Sequence, residues 1–159
     1  MKIIEKVSYW LDYVTRLFIV TFLGVMTIAL TAQIIARSVF QGGFVWTDEL
    51  SRFLMVALIF LGAASATRDN THITVSVLED LKPSVRKWLA PIQWLAMLLY
   101  AVILVIVGIE TLRIVGPQQS VNMQMSMGIV YSVFPVSAFI MIVHLLTKIK
   151  KETREDQER

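Results

Sequence analysis

Charge is missing from long stretches of this chain. Twenty residues separate Arg16 from Arg37 and twenty-two separate Lys87 from Glu110, none of them charged. A backbone crossing hydrocarbon must satisfy its own N–H and C=O groups, which an unbroken helix does. Twenty helical residues measure about 30 Å, the thickness of a bilayer core. A third apolar run is less comfortable, because only fifteen uncharged residues lie between Arg52 and Arg68. On one helix those arginines stand about 24 Å apart, too close for both to reach water at opposite faces of a bilayer. One of them has to snorkel, thin the bilayer, or be buried with a partner. Glu49 lies three residues before Arg52 on the same helical face and is the expected partner.

Composition supports a chain that lives in the membrane. Of 159 residues 56% are hydrophobic and 17% charged, against about a quarter charged in a soluble domain. No room is left for a separate soluble domain. Cysteine is absent, which excludes disulfides, thiol catalysis, iron–sulfur clusters and thiolate metal sites. His72 and His144 are the only histidines. The basic residues flank apolar runs instead of forming a patch with interleaved aromatics, so nucleic acid is not an expected partner. Lys2 and Lys6 precede the first run as in a signal peptide. That run starts late, is long enough to span and lacks a small-x-small cleavage site, so it reads as an uncleaved span.

In chain order, residues 1–15 place Ile3, Ile4, Val7, Trp10, Leu11 and Val14 on one face, with Lys2, Glu5, Lys6 and Asp12 on the other. The pattern predicts an interfacial amphipathic helix; the alternative is a plain extension of the first span. Four spans are expected at 17–36, 45–67, 88–109 and 127–146. An interfacial linker helix is expected over 73–82 and a solvated tail over 148–159. Gly24, Ala29, Ala32 and Ala36 form a small-residue stripe in the first span. Gly62 and Ala66 form a small-xxx-small pair in the second, a pattern suited to helix contact. Trp46 sits at the depth of an interfacial aromatic. Pro135 lies within the fourth span and predicts a kink there.

With the N-terminus inside, twelve Lys and Arg fall on the inner side, against Arg37, Arg52 and Arg113 on the outer. The bias predicts both termini in the cytoplasm. The expected fold is therefore an all-α integral membrane protein, with four transmembrane helices, interfacial amphipathic helices and cytoplasmic termini.

Residues able to carry chemistry are few. Glu49 is placed near the outer margin, and no acid lies mid-span as in small four-helix exporters; a structural pair with Arg52 is the favoured reading. Met123, Met125 and Met127 resemble a thioether copper run. They lack cysteine, and both histidines are expected on the opposite side, so flexible apolar anchoring fits better. His72 and His144 fall near one face, as two haem ligands would, yet His72 lies in a polar linker and reads as a loop hydrogen-bonding residue. No catalytic constellation and no cofactor or metal site is expected.

Several segments together resemble a known family. Glu49–Phe53 (ELSRF), Leu61–Arg68 (LGAASATR), His72–Ile73 followed by Val75, Ser120 and Pro135 are similar to the small permease subunit of TRAP transporters, the DctQ-like proteins. The length, the four-span layout and the inside termini match as well. The resemblance implies a bacterial inner-membrane subunit that scaffolds a large elevator-type permease. A periplasmic binding protein would deliver an organic acid, such as sialic acid or a C4-dicarboxylate, for sodium-coupled uptake. Its expected partners are the large permease, the binding protein and phospholipids. Trp46, Glu49, Arg52, Gly62, Ala66, His72 and Pro135 are the candidate interface or structural residues. The rival readings are a homodimeric multidrug-type exporter and a membrane anchor for a redox enzyme.

Overall fold

The computed structural model describes residues 2–40, 42–69 and 83–157. The expected linker helix at 73–82 and His72 lie outside them. Among the described residues there are five helices: α1 (Lys2–Phe40), α2 (Val45–Asp69), α3 (Pro83–Val115), α4 (Met127–Tyr131) and α5 (Val133–Gln157). Four segments of the described residues are long and apolar enough to cross a membrane: Lys6–Val39, Val45–Arg68, Trp94–Val115 and Met127–Thr147. Residues 2–15 continue into the first span without a break. At 39 residues α1 is about 58 Å long, nearly twice the hydrocarbon thickness.

The helices form a row and not a square. α1 packs on α2, α2 on α5, and α5 on α3; α1 touches α5 more lightly, and α4 sits against α3. The small core lies along α5, where Leu61 and Ala64 of α2 and Ala101 of α3 meet Ile140 and Met141. Ala64 and Ala101 are wholly buried, because only a methyl group fits where these helices approach closely. Phe60 and Phe134 stack across the same seam with centroids 4.5 Å apart.

The fourth span is irregular at one residue. Ser132 stands between α4 and α5, and Pro135 falls in the first turn of α5. A proline inside a helix gives up its N–H and crowds the carbonyl four residues back. Here that carbonyl belongs to Tyr131, the last residue of α4. The expected kink falls at Ser132, which still donates its N–H to Gly128 O at 3.0 Å and accepts from Val136 N at 3.2 Å, while its hydroxyl donates to Ile129 O at 2.6 Å. Gly108 of α3 receives the bend: a Cβ there would lie 3.0 Å from Pro135 Cδ and 3.1 Å from Phe134 Cβ.

A row one helix deep leaves much apolar surface uncovered. Leu17, Ile28 and Ile34 on α1, and Leu95, Leu99 and Ile106 on α3, are all exposed. A water-soluble protein rarely presents contiguous apolar area on this scale; in lipid it is an ordinary outer face.

Candidate functional site

The polar side chains gather at the two ends of the row. At one end Asp12 of α1, 3% exposed, is a hub. Its Oδ1 accepts from Ser65 Oγ of α2 at 2.8 Å. Its Oδ2 accepts from Arg16 Nε at 2.8 Å and also from Arg68 of α2. The Arg68 guanidinium lies over the Tyr9 ring, 5.4 Å from its centroid. One turn away, Ser8 Oγ and His144 Nδ1 of α5 are 2.8 Å apart. Three helices are therefore joined through α1 by short, nearly buried polar contacts. A buried carboxylate is costly unless cations and donors surround it, as they do here.

At the opposite end Glu49 holds a loop. Its carboxylate accepts from three successive backbone amides, Val121 at 3.1 Å, Asn122 at 3.0 Å and Met123 at 2.9 Å. Those amides belong to a tight hairpin between α3 and α4. The hairpin is closed by Ser120 N to Met125 O and Met127 N to Gln118 O, each 2.9 Å. Gln124 adopts φ 52° at its turn, a left-handed conformation uncommon for a residue with a side chain. Successive N–H groups in a turn form a concave anion seat, and Glu49 fills it. Nearby, Gln33 of α1 donates from Nε2 to Asp48 Oδ1 at 3.0 Å. The Thr47 hydroxyl lies 2.5 Å from Gln33 Oε1, tying α1 to the start of α2.

The expected Glu49–Arg52 pair is corrected by this geometry. Glu49 turns to the loop amides, which offer three convergent donors, and Arg52 is exposed with no ion pair among the described residues. Of the two arginines that bound the short apolar run, Arg68 has the protein partner, and that partner is Asp12. Glu110 and Arg113, three residues apart near the end of α3, are both exposed. Trp46 is exposed in the first turn of α2, its ring 6.0 Å from that of Phe44. A Cβ on Gly62 would meet nothing within 4 Å among the described residues, so no helix approaches closely at that position, and Ala66 is half-buried. Leu61, Ala64 and Ser65 face the neighbouring helices instead. In α1 the buried stripe is Ala29, Gln33 and Ala36, with Gly24 and Ala32 exposed.

Sequence reasoning passed over Asp12, Gln33, Asp48, Ser65 and Gly108. Asp12 looks like one more polar residue of an amphipathic face, although Arg16 four residues on was a usable signal. Among the described residues no three His, Asp or Glu side chains are grouped to hold a metal ion.

Fold and site together define a multi-pass helical membrane protein whose polar groups fasten helices and a loop. The chain belongs to the DctQ component family of the tripartite ATP-independent periplasmic transporters, whose family model matches residues 26–155. It is 37% identical over 89 residues to the sialic acid TRAP transporter permease protein SiaT of Haemophilus influenzae, covering 55% of this chain and 13% of that protein. It is 29% identical over 79 residues to a putative TRAP transporter small permease protein of Haemophilus influenzae, covering 50% of this chain and 49% of the relative. Identity to the C4-dicarboxylate TRAP transporter small permease protein DctQ of Vibrio cholerae is 28% over 103 residues, or 64% and 44% of the two chains. The matched region is thus under half of each relative's length.

Proposed function

We propose that this chain is the small subunit of a TRAP importer, a non-enzymatic scaffold for a larger permease that takes up an organic acid such as sialic acid or a C4-dicarboxylate. The family match over residues 26–155 carries the reading. The likeness to a permease of which the aligned stretch is only 13% supports a large membrane partner. An elevator-type permease moves its substrate domain through the bilayer and needs a stator that does not move with it. A row of helices pinned at both ends by Asp12 and Glu49, with wide apolar faces, suits that role. Sodium coupling and substrate choice belong to the larger subunit in this reading. The inner membrane is the proposed location, with both termini cytoplasmic on the basic-residue bias and the Glu49 hairpin facing the periplasm and the binding protein.

The test is affinity purification of the tagged chain from its native membrane, followed by reconstitution. Recovery of a larger permease, with sodium-dependent organic acid uptake only when both chains and the binding protein are present, supports the reading. Transport by this chain alone, or a haem absorbance band on the purified protein, overturns it.

A further inference from the structure

A groove of about 530 Å³ opens between α1 and the start of α2, lined by Leu30, Gln33, Ile34, Arg37, Ser38 and Asp48. The five α1 residues fall on one helical face, so the groove runs along the helix for about two turns. Its inner part is aliphatic: Ile34 is 69% exposed within the candidate span Lys6–Val39. Its mouth is charged. Arg37 stands in the last turn of α1 and makes no hydrogen bond or ion pair to the described residues; its guanidinium lies beside Gly43, whose Cβ would be 3.7 Å from Nε. Across from it, Asp48 uses one oxygen for Gln33, while the other accepts nothing from the described residues. A cation and an anion therefore share one groove without pairing.

We propose that this groove holds one amine-bearing phospholipid, of the phosphatidylethanolamine type. The lipid phosphate lies on Arg37, whose planar fork matches phosphate oxygens. Its ammonium reaches the open oxygen of Asp48, and an acyl chain follows Leu30 and Ile34. The charges argue for this occupant over others. A purely anionic headgroup meets repulsion from Asp48, a choline headgroup cannot donate a hydrogen bond to it, and a free anion makes no use of the aliphatic wall. The inference rests on the spanning character of the chain and not on its transport role.

Native mass spectrometry of the full-length chain, in micelles doped with phosphatidylethanolamine or phosphatidylglycerol, tests it. The wild type retains one phosphatidylethanolamine in preference to phosphatidylglycerol. Arg37→Gln lowers retention about tenfold, the scale of one lost charge-assisted contact. Asp48→Asn abolishes the preference between the two lipids, while Arg113→Gln, at the end of α3, changes neither. Leu30→Trp fills the groove without touching its charges and also expels the lipid, an independent check should a charge variant fold poorly. Unchanged retention in Arg37→Gln, equal loss in Arg113→Gln, no lipid preference in the wild type, or displacement of the lipid by millimolar inorganic phosphate each overturns the proposal.

Discussion

At the residue scale, two carboxylates do different work with the same chemistry. Asp12 is nearly buried and accepts from two arginines and the Ser65 hydroxyl, so truncating it removes an acceptor that all three share. Asp12→Ala should cost about 1–3 kcal/mol, the range for lost hydrogen bonds to a charged group whose arginine partners are partly exposed, read as a lowered midpoint in detergent unfolding. Asp12→Asn keeps an acceptor for Ser65 and should cost distinctly less. An Asp12→Ala midpoint equal to that of wild type would show that Arg16 and Arg68 do not depend on it. Glu49 is half-buried under the loop amides, and its effect is local order of the hairpin. In Glu49→Ala the amides of Val121, Asn122 and Met123 should exchange with deuterium about tenfold faster, with amides elsewhere little changed, because one charge-assisted acceptor holds all three.

At the scale of elements, the approach of α5 to α3 depends on Gly108 meeting the bend at Pro135. A Cβ on Gly108 already stands 3.0 Å from the proline ring. Gly108→Ala should therefore destabilise by about 1–3 kcal/mol through overpacking. Pro135→Ala removes the nearest of the three atoms it crowds, so the double variant should lose less than the two single changes added together. Strict additivity in thermal melts of the four proteins would place the strain elsewhere. The irregularity at Ser132 has a readable local cause, since the proline three residues on has no N–H to offer the Tyr131 carbonyl. That a glycine on another helix accommodates the bend is visible only in the assembled structure.

At the scale of the whole molecule, the row of helices leaves Arg52 exposed and without an ion pair among the described residues, at the same end as the Glu49 hairpin. If that surface meets the large permease, Arg52→Leu should lower co-purification of the larger chain at least severalfold, because an interface arginine loses both charge and packing. Undiminished recovery and uptake would remove Arg52 from the interface. The exposed apolar faces of α1 and α3 are the area available for such a partner and for lipid.

The four spanning helices were legible in the sequence because a lack of charge over some twenty residues is a one-dimensional signal with one physical solution. So was the disturbance at Pro135, and so was the family, through segments such as Glu49–Phe53 and Leu61–Arg68. The partners of the charges were not. Spacing favoured Glu49 with Arg52, since side chains three apart share a face, but three loop amides some seventy residues away offered Glu49 a better seat. Arg68 found Asp12 because α1 and α2 lie side by side, a fact that no local pattern contains. Sequence determined which segments are apolar and helical; tertiary structure decided which charges meet, because a charge near hydrocarbon takes the nearest converging donors in space and not along the chain.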